Sequence, residues 1–503
     1  MMRATSLASR QRGAASLIVV MVLFFVLSLT AAYTGRNLIF EQKTSANQSR
    51  STLAFEAAEA GVEWALVQLN GGAMDAGCVT AAAPNLSFQQ RYVAIAPYGA
   101  LPPPAPATTP AAGFTYQNVR DAAPHSEAAA MWPACVFNGA TWDCACPNAA
   151  AADPVSVAAG GGPFPAFRVW PASPDPKPSA PIPAGAASSP WGAVQTNNPG
   201  SLQLNVGGCT RYPGAGERCL DYLAQGEVGE GLAYQHVTLA LRSGLAVIPA
   251  APVTARLDVE PAPLPAPALV VVNTDYRSGG FTVNQGDGGL PSNMLLVTIP
   301  GTPSEKSVGF GDTRLIDFTN NQAPATVPPV PAALTSGERM FVSIFGMKRQ
   351  TYRQQPGLRV CAAPCSAANV NTLLVNNPNR IIWVDGDLTV DADIGTAAVP
   401  VLLIVNGDTL TIDPNRVING FVYMTGDGSG TETSTILLST GGSTEIHGAL
   451  VAEGKLVTQY AGAPGAADQL TVTYDRAVLD RLRLTYGSWV RLGAAWRDFK
   501  LTP

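Results

Sequence analysis

The chain has 503 residues, only 13% of them charged, and a formal net charge of −5. With no basic cluster after the first dozen residues, this balance argues against a nucleic-acid-binding protein. The abundance of glycine (49) and proline (42) favours an extracytoplasmic, β-rich protein with long loops, and the length predicts two or three folded units.

The N-terminus combines a basic start with an apolar run long enough to cross a bilayer. Three arginines precede Gly13, and the next charged residue is Arg36. Residues 14–32 form a helix of about 28 Å at about 1.5 Å per residue, close to the thickness of a bilayer core. We predict one transmembrane helix over about 14–34, with the N-terminus in the cytoplasm and the bulk of the chain outside it.

The helical pattern continues beyond the membrane segment. Between Leu53 and Leu69, apolar residues recur at helical spacing and glutamates occupy other faces. No proline occurs before Pro84, and two glycines after Asn70 are a typical helix stop. These features predict one helix over 14–70 whose apolar face is covered by the chain's own head. An ordinary signal anchor and a cleaved secretory peptide are the alternatives for the segment.

Three short stretches at the N-terminus carry a family resemblance. They are the leader end Gln11-Arg12-Gly13, the start Ala14-Ala15-Ser16-Leu17-Ile18-Val19-Val20 and the later segment Ala54-Phe55-Glu56-Ala57-Ala58-Glu59-Ala60-Gly61-Val62-Glu63. Together they resemble type IV pilin-like proteins, and most closely the PilX-type minor pilins. The resemblance implies that residues 1–13 are a prepilin leader, that prepilin peptidase cuts between Gly13 and Ala14, and that the amine of Ala14 is methylated.

In the families that this segment resembles, the helix leaves the lipid of the inner membrane and joins a bundle of like helices. The resemblance implies that the other minor pilins and the major pilin are partners, and it leaves room for a tip adhesin. It places the head in the periplasm before assembly and outside the cell, on the pilus, afterwards. We expect five residues of the apolar run to dock in the bundle: Leu17, Ile18, Val20, Leu23 and Leu27.

The chain departs from most pilins at one position. Most pilins have a glutamate at the fifth mature residue, where this chain has Ile18. In pilin families that glutamate is thought to pair with the N-terminal amine of a neighbouring subunit. It is absent from PilX-like subunits and from GspK-like subunits of type II secretion systems, which are placed at the tip. The resemblance therefore implies a tip-associated minor pilin, with a secretion pseudopilin as the alternative.

Residues 71–250 are expected to form an irregular β-rich head packed on the helix. Short runs of alternating apolar residues predict strands at 113–119, 166–170, 201–206 and 236–241. A proline-rich stretch over 251–267 is the best candidate for a linker to the last part of the chain.

Eight cysteines follow the membrane segment, an even number that predicts disulfides in the periplasm. A Pro-Gly turn lies between Cys209 and Cys219, and Cys361 and Cys365 flank a tight loop, so both pairs are expected to be local bridges. The remaining four allow three connectivities, of which the one with a Cys144–Cys146 bridge is sterically poor. The four unassigned cysteines are Cys78, Cys135, Cys144 and Cys146.

We expect no metal and no cofactor, because Cys/His clusters at zinc spacing are lacking.

Residues 268–503 repeat a strand, a Gly-Asp turn and a second strand. The two clearest turns, Gly386-Asp387 and Gly407-Asp408, are 21 residues apart, which predicts a stacked β-solenoid. Val390, Ile404 and Ile412 should point inward, Gly386 and Gly407 should stack at corners, and a helix over 475–484 should cover the last coil. The whole chain is therefore predicted to be α+β.

The acidic group Asp385, Asp387, Asp391 and Asp393 is of the kind that β-helical enzymes use for carboxylate catalysis on polysaccharides. We prefer turn capping by these side chains. The three histidines (His125, His236 and His447) are scattered along the chain. We therefore expect no enzyme, and we keep a membrane-anchored β-helical glycan-binding protein or hydrolase as the alternative from another class.

The first prediction concerns processing. We expect the mature chain to begin at Ala14, because Gly13 directly precedes the apolar run. Replacing Gly13 with a bulky residue should leave a membrane-held precursor that is 13 residues longer, detectable by mass spectrometry. A mature N-terminus at Tyr33 would instead establish a cleaved secretory peptide.

Overall fold

The computed structural model describes a long helix, a β-rich head and a β-solenoid. The described residues are 12–82, 84–92, 133–146, 164–172, 200–210, 231–249, 252–255, 259–260, 269–273, 280–282, 297–299, 316–317, 337–426, 433–465 and 467–497. The predicted fold class is confirmed. The predicted strand at 113–119 lies outside the described residues.

The first element, α1 (Arg12–Asn70), is a single helix of 59 residues, as predicted. The described side chains of its first two-thirds are almost all exposed, and the head begins to cover it at Ala54. From there the buried positions follow helical spacing and form one face: Ala54, Ala58, Val62, Ala65 and Leu69. Leu53 was predicted to lie on this face, but it is about 100° away from Ala54 around the helix and 40% exposed.

The head is an antiparallel sheet that packs its apolar face on α1. Its order is β2-β1-β3-β4-β5-β23, and a short helix, α2 (Phe88–Tyr92), also packs on α1. The predicted strands at 166–170, 201–206 and 236–241 are confirmed as parts of β3, β4 and β5. The strands are β1 (Ala134–Phe137), β2 (Trp142–Ala145), β3 (Ala166–Ala172), β4 (Ser201–Cys209), β5 (Leu232–Ser243) and β23 (Gly487–Arg497).

Sheet and helix approach each other closely at Gly208 of β4. A Cβ atom at this position would lie 1.9 Å from the carbonyl oxygen of Ala54. Leu204 and Val206 of β4 lie in the same buried cluster as Val62 and Leu69 of α1. The head core therefore depends on the helix for one of its two layers.

In the residues that the structure describes, the solenoid contains five consecutive coils, each with one strand in a wide sheet and one in a narrow sheet. All these strands pair in parallel, and the register runs straight from Ile382 through Leu403 and Val422 to Leu450. The wide-sheet strands are β12 (Leu358–Cys361), β14 (Ile381–Asp385), β16 (Val401–Asn406), β18 (Val417–Met424) and β20 (Thr444–Ala452). The narrow-sheet strands are β13 (Cys365–Ser366), β15 (Leu388–Val390), β17 (Thr409–Ile412), β19 (Ser434–Leu438) and β21 (Leu456–Tyr460).

Strands from elsewhere in the chain extend this stack. Within the predicted linker 251–267, β6 (Val253–Ala255) pairs with β20 and β7 (Val259–Glu260) pairs with β21, so part of that stretch belongs to the solenoid. Other strands continue the wide sheet from β20 and β6. They are β8 (Leu269–Asn273), β9 (Gly280–Thr282), β10 (Val297–Ile299), β11 (Ile316–Asp317) and β22 (Leu470–Tyr474).

The solenoid is inserted between two neighbouring strands of the head sheet. The chain leaves the head at the end of β5 and returns as β23, and Ser243 pairs with Gly487 at the point of departure and return. The predicted division into 71–250 and 268–503 therefore does not coincide with the strand pairing, because β23 belongs to the head sheet.

Two buried layers lie on opposite sides of the wide sheet. Val390 and Ile412 point inward, between the two sheets, as predicted. Ile404 is equally buried but lies in the outer layer, so its predicted direction is wrong. The reason is that β16 is covered on both faces, and a doubly buried strand is apolar throughout rather than alternating.

Helices form the cover of the outer layer. The predicted helix at 475–484 is present as α6, but it packs on the outer face of β18 and β20 rather than over the end of the stack. The third of the four helices, α5 (Ala367–Asn376), begins with a capping box at Ser366 and Asn369 and packs instead on the first coils. The four are α3 (Gly337–Phe345), α4 (Arg349–Arg353), α5 (Ala367–Asn376) and α6 (Arg476–Thr485).

Three disulfides lie in the described residues. Cys361–Cys365 closes the turn of the first coil, and the connectivity left open by the sequence is Cys78–Cys146 and Cys135–Cys144. The Cys78–Cys146 bridge ties the loop after α1 to the end of β2. Cys209 is also disulfide-bonded, and Cys219, its expected partner, lies outside the described residues.

The second prediction tests the solenoid interior. Val390→Asp should destabilise the solenoid by about 3–5 kcal/mol, the usual cost of an unpaired buried charge. Thr389→Asp is the matched control, because the neighbouring side chain is exposed. Thermal unfolding followed by circular dichroism measures both variants, and equal midpoints would contradict the assigned faces.

Candidate functional site

The candidate functional site is α1, which has an exposed segment and an anchored end. The expected docking residues Leu17, Ile18, Val20, Leu23 and Leu27 are each more than half exposed. Gly13 and Ala14 lie in the first turn of α1, and the described side chains begin at Ser16. In the described part of the chain, α1 is the one helix long and apolar enough to cross a membrane, which fits the single-pass anchor typical of pilins.

Hydroxyl groups in the apolar segment bond within the helix. Thr30 Oγ1 donates a hydrogen bond to the carbonyl oxygen of Val26 at 2.7 Å, and Thr34 Oγ1 donates to that of Thr30 at 2.9 Å. These bonds satisfy the donors without a partner from outside and lower the cost of placing them in lipid.

A bare stretch of α1 separates the apolar segment from the head. From Arg36 to Leu53 the helix rises about 27 Å at about 1.5 Å per residue. Over this length its side chains are exposed, apart from a half-buried Arg50, and three large apolar ones, Leu38, Ile39 and Phe40, are more than half exposed. Neither a bilayer core of about 30 Å around residues 14–34 nor the head covers this stretch.

At its C-terminal end, α1 is fixed to the last strand of the head by Asn70. The side-chain oxygen of Asn70 accepts a hydrogen bond from the backbone nitrogen of Trp489 at 2.8 Å, and its Nδ2 donates to the carbonyl oxygen of Trp489 at 3.0 Å. The same Nδ2 donates to the carbonyl oxygen of Leu66. The Asn70 amide therefore takes the place of a backbone partner for β23.

Two arginines of the solenoid supply donors to the last carbonyls of α1. Arg380, fully buried before β14, donates to the carbonyl oxygens of Leu69, Gly71 and Gly487. Arg359 of β12 donates to the carbonyl oxygen of Asn70 at 2.7 Å. The carbonyls of Leu69 and Asn70 lie in the last turn of α1 and have no partners inside the helix, and positive charge is favourable at the negative end of the helix dipole.

The surroundings of Arg380 lower its pKa to about 9, through burial and then through the positive charge of Arg359. Arg380 is still charged at neutral pH because this value lies above 7. We missed Arg380, Arg359 and Asn70 at the sequence level. The available signal was an arginine directly before the fully apolar strand at Ile381, in a chain with few charges.

The acidic group of the solenoid bonds to turns and to arginine. Asp387 accepts a hydrogen bond from the backbone nitrogen of Thr409, and Asp393 accepts one from that of Val417, each at 2.9 Å. Asp385 pairs with Arg353 at 2.6 Å. Two of these carboxylates therefore join one coil to the next. In the described part of the chain, no three His, Cys, Asp or Glu side chains are grouped as metal ligands would be.

The third prediction tests the junction, which is the place where Arg380 of the solenoid bonds to the end of α1 and to the start of β23. Arg380→Met should destabilise the chain by at least about 2 kcal/mol, because a side chain of similar length cannot replace the donors that Arg380 gives to three carbonyls. The control is Arg353→Met, which removes a half-exposed ion pair worth at most about 1 kcal/mol. Thermal unfolding compares the two, and a control that is as damaging as Arg380→Met would contradict the special role of the junction.

The comparisons with known proteins agree with the geometry of α1. Residues 12–63 match a family model described as PilX N-terminal. No curated protein and no solved structure matches the chain. The matched residues cover the apolar segment, the bare stretch and the start of the head-covered face, and they identify the N-terminal part of the chain as type IV pilin-like, in support of a minor pilin.

Proposed function

We propose that this chain is a minor subunit of a type IV pilus that sits at or near the tip. Its helix lies in the inner membrane before assembly. The chain is cleaved after Gly13, and the helix then enters the bundle of pilin helices. The observation that carries the proposal is that most of the segment matching the PilX N-terminal family, up to Leu53, is a part of α1 whose described side chains are almost all exposed. A helix of this kind needs lipid or other helices around it.

The tip position rests on Ile18. In pilin families, the glutamate usual at this position is thought to pair with the N-terminal amine of a neighbouring subunit. A subunit with isoleucine cannot neutralise the amine of a subunit placed above it. It can still be held from below through its own amine, so it fits the leading end of the fibre in few copies.

The head and the solenoid inserted into it define what such a subunit presents outside the cell. The N-terminus faces the cytoplasm before assembly, and the head and solenoid lie in the periplasm and later on the pilus. The partners are the other minor pilins, the major pilin and prepilin peptidase. A role in cell adhesion, directly or through a tip adhesin, follows from the size of the exposed part.

Two alternatives have distinct tests. A type II secretion pseudopilin would use the same helix, and the neighbouring genes separate pilus from secretion systems. A membrane-anchored glycan-binding protein or hydrolase would use the solenoid, and glycan binding or cleavage by the full chain would support it. Our proposal contains no catalytic step, and its support is that Asp385, Asp387 and Asp393 are engaged in bonds to the fold.

The fourth prediction tests the tip position. Ile18→Glu places an acid in the apolar segment at a cost of about 2.5–3.5 kcal/mol unless it is paired. It should change the number or position of subunits in the fibre, while Ile18→Leu should not, and both should leave the head folded. Gold labelling of the head on isolated fibres measures position. If the unaltered subunit were labelled evenly along the fibre, in numbers like those of the major subunit, the tip position would be contradicted.

A further inference from the structure

The last strand of the chain, β23, contacts all three parts of the molecule within five residues. Gly487 and Ser488 meet the first coils of the solenoid, Trp489 lies against α1, and Arg491 reaches the outer side of α1. The same strand pairs with β5 from Gly487 to Arg491 and again at Trp496 and Arg497, with a shift in register between the two parts. Because it follows the other described elements in the chain and contacts the head, α1 and the solenoid, its docking depends on what is already folded.

The contacts to the solenoid come first in β23. The backbone nitrogen of Gly357 donates a hydrogen bond to Ser488 Oγ at 2.9 Å, and Arg380 donates to the carbonyl oxygen of Gly487. The two backbones cross so closely that a Cβ atom at Gly357 would lie 2.3 Å from that carbonyl oxygen. This crossing forms only when the first coil is in place.

The contacts to the pilin helix follow directly. The side chain of Trp489 is 1% exposed and belongs to the core cluster that contains Val62, Ala65 and Leu69 of α1. Its backbone pairs with the side chain of Asn70, and Arg491 forms an ion pair with Glu63 at 2.7 Å. Without these contacts, the C-terminal half of α1 loses a core side chain and both bonds to its last residue.

We propose that β23 is a latch that closes the head on α1 only after the solenoid has folded. The latch couples two conditions, a folded first coil and a placed C-terminal strand, to one outcome, the docking of α1 on a complete head sheet. A chain that is incompletely exported or misfolded in the solenoid keeps an open head. The consequence for the cell, that such chains stay out of the fibre, rests on the proposed function.

Hydrogen exchange of the full chain in detergent tests the latch without reference to pili. Trp489→Ala should speed amide exchange at least about tenfold in residues 54–69 of α1 and in β5, while β14 to β18 of the solenoid keep their protection. Leu492→Ala on the same strand is the control, because that side chain is 43% exposed.

A second pair of variants places the change in the solenoid instead. Gly357→Ala should also speed exchange in α1 and β5, although neither carries the substitution, because the added carbon collides with Gly487. Gly462→Ala is its control, since the nearest atom to a Cβ there is 3.5 Å away.

Three outcomes would overturn the latch. One is wild-type exchange in α1 and β5 of Trp489→Ala, and another is an effect of Gly357→Ala confined to the first coil. The third is equal loss of protection in β14 to β18, which would make β23 part of one cooperative core rather than a closing element. If the exchange results agree with the latch but chains with a misfolded solenoid still enter fibres, the proposed link to assembly fails and the latch stands.

Discussion

The burial of Arg380 against the end of α1 is the constraint on which the rest of the structure depends. A guanidinium removed from water is costly unless its donors are used, and here they meet the carbonyls that a helix cannot satisfy by itself. Arg380 therefore supplies the donors that the helix end lacks, and the helix end supplies acceptors for the buried guanidinium. The helix end, the start of β23 and the second coil are therefore fixed at one point, although they lie hundreds of residues apart in the chain.

The contacts around Arg380 fit the way in which the solenoid is attached, as an insertion between β5 and β23 rather than as a domain that follows the head. Both connections, after Ser243 and before Gly487, lie beside the junction, so the solenoid is held by two adjacent strands and by the end of α1. A domain joined by one proline-rich linker would move freely relative to the helix. In this chain, the orientation of the exposed part is set by contacts, which suits a subunit that presents a large head from a fibre.

Sequence patterns predicted the helix and the coils, because these elements depend on local periodicity. The length of α1 follows from an apolar run and a second periodic segment that ends at Leu69, with no proline between them, and the coils follow from the repeated Gly-Asp turns. Periodicity could not show that β23 returns to the head, because pairing between β5 and β23 depends on the fold of everything between them. It also could not assign the face of Ile404 in a strand buried on both sides, nor pair Arg380 with carbonyls that have no side-chain signature.

The most direct test of this account is a distance measurement between α1 and the solenoid. Val67 of α1 and Val375 of α5 are 68% and 60% exposed, and the described cysteines are all in disulfides, so cysteines introduced there can carry spin labels. Double electron–electron resonance on the full chain should give a single narrow distance distribution if the junction fixes the two parts. A broad distribution, as expected for domains on a flexible linker, would contradict the account.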